Sequence, residues 1–320
     1  MPTILIAFRP DLIPDQHLAR TRALADSAEI VITEDKEQMK SVLADVEIAA
    51  GWLPREYLPQ MPQLRWFQQY GAGADWLMRH PEAIGLPFTL TNASGVHAIQ
   101  ISEHILALLL AFARRLPEAW RSQQQHTWHR PPGESLFELA GKTMLVVGMG
   151  PIGKRTAQIS AALGMRVLGV RRSFEKPETG VEKMVGSERL LDVLPQADFV
   201  VLAAPLTPQT QGMIGEAALR AMKSSAFLVN IGRGGLADEP ALIRALQEKW
   251  IAGAGLDVFE TESLPPESPL WAMENVIITA HYAGASPHYT ERFLEIFVEN
   301  LGRYRRGETL TNVVDKRQFA

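Results

Sequence analysis

Between residues 143 and 281 the chain carries six short runs of mostly Val, Ile, Leu, Ala and Gly: TMLVVG (143–148), MRVLGV (165–170), DFVVLAAP (198–205), AFLVNIG (226–232), GAGLDVF (253–259) and NVIITAH (275–281). A strand wetted on one face alternates apolar and polar residues, whereas a run that is apolar throughout is covered on both faces. Strands of that kind belong to parallel sheets layered with helices. The intervening segments are amphipathic, as in DEPALIRALQEKW (238–250), where Asp238 is placed to cap a helix. The pattern predicts an α/β fold built on a doubly wound parallel sheet.

A second, smaller series precedes it: ILIAF (4–8), EIVIT (29–33), EIAAG (47–51), RWFQQYG (65–71) and FTLTN (88–92). With 320 residues there is chain enough for about two domains. A helical stretch from Ile101 to Gln125, interrupted near Pro117, joins the two series, and ERFLEIFVENLGRYRR (291–306) reads as a last amphipathic helix.

The first run of the larger series leads into GMGPIG, with Gly148, Gly150 and Gly153 in the G-x-G-x-x-G spacing between a predicted strand and a predicted helix. In a dinucleotide site the first glycine makes the tight turn, the second admits the pyrophosphate, and the third lets helix pack on strand. Amides at the helix start face the anion; Pro151 has no N–H, so Ile152 is the donor. An NAD site places an acid near the end of the next strand, on the ribose 2′-hydroxyl. Here Arg171, Arg172 and Ser173 follow Val170 instead. Two guanidinium groups and a hydroxyl suit a 2′-phosphate, which favours NADPH over NADH.

Three further strand ends carry reactive side chains: Arg233 in NIGRGG, Asp257 and Glu262 in LDVFETE, and His281 in ITAHYAG. Together with the glycine loop, YGAGADWL (70–77), SEHILALLL (102–110), LTPQTQGMIG (206–215) and LPPESPLW (264–271), these stretches resemble the D-isomer-specific 2-hydroxyacid dehydrogenase family over nearly the whole chain. LPPESPLW and the arginine pair look most like its NADPH-dependent glyoxylate/hydroxypyruvate reductases. The resemblance implies two Rossmann-like domains with a cleft between them: a substrate domain of 1–97 plus 286–320, and a dinucleotide domain of 98–285. Closure of such a cleft would exclude water from hydride transfer.

By the same resemblance Arg233 grips the substrate carboxylate and carbonyl, His281 gives a proton to the carbonyl oxygen, and Glu262 bonds that histidine and favours its protonated form. Backbone amides at Gly71, Ala72 and Gly73 receive the carboxylate. Asp257 lies near the nicotinamide amide, and Pro205, Thr210, Ile231, Gly232 and Gly284 join the cofactor site. Two positions depart from the family: Ser263 follows Glu262 where proline is frequent, and Tyr282 with Ala283 follows His281 where an aliphatic residue is common. The expected reaction is reduction of glyoxylate or hydroxypyruvate to the D-2-hydroxy acid. Trp66, Tyr70, Trp76, Trp271 and Tyr282 either wall the cleft, in which case an aryl pyruvate fits as well, or pack in the core; the sequence does not orient them. A homodimer through SEHILALLLAFARR is implied. A non-catalytic NAD(P)-sensing binding protein, or a relative that oxidises another small anion such as formate or phosphite, stays open as an alternative.

A formal charge of −4 does not suit nucleic acid or an anionic membrane as partner. No cysteine means no disulfide and no thiolate chemistry. His126 and His129 have no carboxylate cluster beside them, so no metal site is expected. No signal peptide or membrane span is read, and a cytoplasmic location is the expectation.

Overall fold

A computed structural model describes residues 1–172 and 178–320. The chain divides into two compact units, Met1–Val96 with Ser286–Ala320, and His97–Ala285. The first unit begins with β1 (Thr3–Ala7), α1 (Asp15–Leu24), β2 (Glu29–Thr33), α2 (Lys36–Val42), β3 (Val46–Gly51), β4 (Trp66–Gln69) and β5 (Thr89–Thr91). Its strands pair in parallel in the order β2-β1-β3-β4-β5. Successive strands are added outward in opposite directions from the boundary between β1 and β3, so the crevice beyond their C-terminal ends is where such a sheet takes a ligand.

The second unit contains α3 (Ala98–Ala113), α4 (Leu116–Gln124), β6 (Thr143–Val147), α5 (Pro151–Ala162), β7 (Arg166–Val170), β8 (Lys183–Val185), α6 (Leu190–Val193), β9 (Phe199–Leu202), α7 (Glu216–Ala221), β10 (Phe227–Asn230), α8 (Glu239–Gln247), β11 (Gly253–Leu256) and β12 (Val276–Ile278). The seven strands, all parallel, run in the order β12-β11-β10-β9-β6-β7-β8. β6, β9 and β11 are buried throughout and the sheet carries a hydrophobic cluster on each face, as their uniformly apolar runs require. Asp238 caps α8, accepting from the Ala241 amide at 2.9 Å.

The chain then returns to the first unit as α9 (Tyr289–Arg305), whose Phe293, Phe297 and Leu301 are buried against Ile4, Ile6 and Trp66. The interruption near Pro117 is present, and one strand is new. The long helix breaks before its proline, at Arg115, which takes a left-handed φ of 52°; Pro117 then sits in the first turn of α4, where a missing N–H leaves no helical bond unmade. The short β8 was not foreseen, because its three residues include a lysine and make no apolar run.

Candidate active site

The described residues among those expected to bind the cofactor lie at or beyond the C-terminal ends of the second unit's strands. β6 leads through Gly148 into α5, which starts at Pro151. Gly148 has φ +101°, and a Cβ there would stand 2.5 Å from the carbonyl carbon of Ala203, the residue after β9. The turn therefore presses into the point between β6 and β9 where the sheet changes direction. A Cβ on Gly153 would collide with the Gly148 carbonyl, whereas one on Gly150 would meet nothing within 4 Å. Open backbone at Gly150 and the first-turn amides of α5 fit a pyrophosphate. Thr210 Oγ1 donates to Pro205 O at 2.7 Å and folds the loop after β9.

At the end of β7, Arg171 and Arg172 are exposed; Ser173 lies outside the described residues. An acid foreseen by no motif reaches this place: Glu178 Oε1 lies 3.5 Å from Arg171 Nη1 and 2.8 Å from Lys154 Nζ.

His281 follows β12 in a left-handed conformation, φ 53°, which costs a non-glycine residue about 1 kcal/mol or more. Asp257, just past β11 and 1% exposed, holds it there. Its Oδ1 accepts from Thr279 Oγ1 at 2.6 Å and Tyr282 N at 3.1 Å, its Oδ2 from Ala283 N at 3.1 Å, and its own carbonyl takes the His281 amide at 2.8 Å. Behind Thr279 stands His104 Nε2, at 3.1 Å. Glu262 Oε2 lies 2.7 Å from His281 Nδ1, and its other oxygen accepts from Phe259 N at 3.2 Å. A carboxylate only accepts, so Nδ1 carries the hydrogen and Nε2 is left for a substrate.

Arg233 follows β10, the strand beside β11. Asn230 Nδ2 donates to its carbonyl at 2.9 Å, and its Nη1 donates to Gly232 O at 2.8 Å. The backbone of Gly234 packs against that of Phe259 so closely that a Cβ has no room, which ties the Arg233 turn to the loop that leads to Glu262. Burial holds the His97 imidazole below its ordinary value; the Arg233 and His281 charges act the same way, and a backbone hydrogen bond at Gly284 opposes them. Arg233, Glu262 and His281 thus belong to one electrostatic neighbourhood on three adjacent strand ends.

In the first unit the Gly71–Gly73 turn follows β4. Gln69 Nε2 donates to Gly71 O at 2.9 Å and Gly73 O at 2.7 Å, and Asn92 Nδ2 donates to Ala72 O at 2.7 Å.

Residues 106–283 match the family described as D-isomer specific 2-hydroxyacid dehydrogenase, NAD binding domain. The glyoxylate reductase of Korarchaeum cryptofilum is 40% identical over 286 residues, 88% of this chain and 85% of that one. The chain belongs to the D-isomer specific 2-hydroxyacid dehydrogenase family. Among solved structures, a family member from Xanthobacter autotrophicus in complex with NADPH and MES superposes with a TM-score of 0.85 at 29% identity, covering 100% of this chain and 99% of that one. The NADPH-dependent glyoxylate/hydroxypyruvate reductase of Sinorhizobium meliloti, in complex with NADP and sulfate, gives 0.85 at 27% over the same shares.

As a 2-hydroxyacid dehydrogenase the chain is a nicotinamide-dependent oxidoreductase acting on CH–OH groups, and keto acids are its class of substrate. Of the five aromatics that the sequence left open between cleft wall and core, two are core. Trp66 is buried, stacked on Phe297 with ring centroids 5.6 Å apart, and Trp76 is buried under Arg55. Tyr70 is half-buried, while Trp271 and Tyr282 are exposed. Trp52, which no motif singled out, is 62% exposed and lies 4.7 Å from the Tyr70 ring. Its signal was its place, one residue past a predicted strand. His129 pairs with Glu118 at 2.6 Å, a contact within the α4 region. Among the described residues, no helix is long and apolar enough to cross a membrane.

Proposed function

We propose that this 2-hydroxyacid dehydrogenase reduces glyoxylate to the achiral 2-hydroxy acid, or hydroxypyruvate to the D-2-hydroxy acid, with NADPH. The observation that carries the reading is the His281–Glu262 pair on its pinned left-handed turn, two strand ends from Arg233. When bound, the reduced nicotinamide supplies the hydride to the carbonyl carbon. His281 Nε2 delivers the proton to the carbonyl oxygen, and Glu262 holds the ring and balances its charge in the protonated form. Arg233 offers a planar fork to the carboxylate and the adjacent oxygen. The turn at Gly71, Ala72 and Gly73 takes the carboxylate through backbone amides. The curated relatives named glyoxylate reductase support the substrate class.

Gly148, Gly150, Ile152 and Gly153 would hold the pyrophosphate, and Arg171 with Arg172 the 2′-phosphate. Both oxygens of Asp257 are engaged by the 279–283 loop, so it acts on the nicotinamide side through that loop, next to Gly284. Thr210 shapes the loop at Pro205, and Ile231 and Gly232 form the wall after β10. We place a homodimer contact on α3 and α4, where Leu110, Leu116 and Trp120 are exposed, with the fully exposed Trp128 beyond them.

A second substrate reading rests on a crevice of about 380 Å³ in the first unit, lined by Phe8, Leu12, Trp52, Tyr70 and others beyond β1 and β3. Its aromatic wall suits the flat substituent of an aryl pyruvate. Oxidation of NADPH and of NADH, followed at 340 nm with glyoxylate, hydroxypyruvate, pyruvate and phenylpyruvate, separates these readings. Turnover of the small acids with NADPH preferred is expected. Replacing Arg171 and Arg172 by Ala together should raise the NADPH KM about 10²-fold more than the NADH KM, from the loss of charge-assisted bonds; equal losses overturn the 2′-phosphate assignment.

A further inference from the structure

A trans peptide unit points its N–H opposite to its C=O. Gln69 holds the carbonyls of Gly71 and Gly73, and Asn92 holds that of Ala72. The amides of Ala72 and Ala74 therefore point away from Gln69, and that of Gly73 away from Asn92. Among the described residues no protein acceptor bonds any of these three amides.

Gln69 is 1% exposed, and its orientation is determined. Trp76 Nε1 donates to Gln69 Oε1 at 2.7 Å. An indole N–H only donates, so the amide oxygen must face it and the NH2 must face the turn. Trp76 is itself buried, with the Arg55 guanidinium 4.5 Å over its ring. Only a primary amide of this length both accepts from Trp76 and donates twice to the turn. A glutamate would have no hydrogen for the carbonyls and would set a negative charge behind an anion receptor; a lysine could not accept.

We propose that Gln69, with Asn92 beside it, is a positioning residue: a neutral brace that turns consecutive backbone amides outward as the receptor for the substrate carboxylate. The assignment rests on the reading of Gly71–Gly73 as the carboxylate loop. Gln69 touches neither substrate nor cofactor, so its loss should appear in substrate binding rather than in turnover at saturation.

The test compares the wild type with Gln69→Glu, Gln69→Met and Trp76→Phe. The readouts are glyoxylate KM and kcat, NADPH KM, and calorimetric binding of oxalate to the protein with NADP bound. Gln69→Glu should raise glyoxylate KM and oxalate Kd together by about 10²-fold, the worth of one or two misaligned bonds to a charged group. Gln69→Met should raise both by about 10-fold, and Trp76→Phe by less. In every variant kcat should stay within about 3-fold and NADPH KM unchanged. If Gln69→Glu does not fold, the other two variants carry the test. Variants with a lowered Tm but unchanged KM and Kd would make Gln69 a packing residue and remove the brace while leaving the functional reading. A wild type that binds oxalate in a Gln69-dependent way yet reduces no 2-keto acid would remove the functional reading and keep the brace. Neither binding nor turnover overturns both.

Discussion

The turn at His281 and the turn at Gly71–Gly73 are both irregular backbone held by side-chain hydrogen bonds, and the holding groups differ in charge. Behind His281 stands a carboxylate, Asp257, with a second one, Glu262, on the ring. Behind Gly71–Gly73 stand two neutral amides, Gln69 and Asn92. A group that must carry a proton is stabilised by negative charge nearby; a loop that must receive an anion would be weakened by it. Each brace thus has the charge that the task proposed for its own turn allows.

The largest effect should come from removing the proposed proton donor while keeping both braces. His281→Asn should lower kcat/KM for glyoxylate about 10³-fold, the middle of the range for general acid catalysis, with NADPH affinity and Tm nearly unchanged. An unchanged kcat/KM would remove His281 from the chemistry.

Next, the anionic brace can be neutralised where it stands. Asp257→Asn should reduce stability of the second unit by about 3 kcal/mol, since Thr279, Tyr282 and Ala283 all direct donors at a carboxylate that an amide only half replaces. Urea unfolding measures it, and kcat should fall in parallel as His281 loses its orientation. A stability loss without any loss of kcat would mean that the left-handed turn does not need Asp257.

The two braces should also respond differently to acid. Burial holds both His97 and His104 below the ordinary imidazole value of 6.5, with Asp257 opposing at His104. A histidine depressed in the folded state is neutral there while the unfolded chain is protonated. Its contribution is therefore complete above the unfolded value and is lost as pH falls below about 6.5 toward the folded value. Urea midpoints should drop between pH 7 and pH 5.5, and His104→Gln, which keeps a donor for Thr279, should flatten the slope. The amides of Gln69 and Asn92 do not titrate, so Gln69→Met should leave the slope as it is.

How far each region could be read from residues alone follows from how local its signal is. The buried parallel strands were legible because uniform apolar runs have one structural meaning, and Gly148, Arg233, Glu262 and His281 because each sits in a short fixed motif. Trp66 and Trp76 could not be placed because an aromatic near a strand end has the same local sequence whether it points into core or crevice. Gln69 and Asn92 were invisible for a related reason: their partners lie across a turn or on another strand, and QQYG alone does not say which glutamine faces the loop. Glu178 likewise reaches Arg171 from beyond the end of β7, outside any motif window.

That glutamate sets the smallest predicted effect and extends the contrast of charges to a third place. Its carboxylate lies 3.5 Å from Arg171 and 2.8 Å from Lys154, where the doubly charged 2′-phosphate is proposed to bind. The pairs are partly exposed, so each contributes little to stability, on the order of 1 kcal/mol or less. If the 2′-phosphate binds as proposed, Glu178 would act chiefly on the ligand: it would offset part of the cationic field that the phosphate feels, to which a ribose hydroxyl is indifferent. Glu178→Gln should lower the NADPH KM by about 3-fold, in keeping with a partly screened charge, and leave the NADH KM unchanged. A rise in the NADPH KM would instead show that Glu178 orients Arg171 for the phosphate, which would make this acid a brace of the same kind as Asp257.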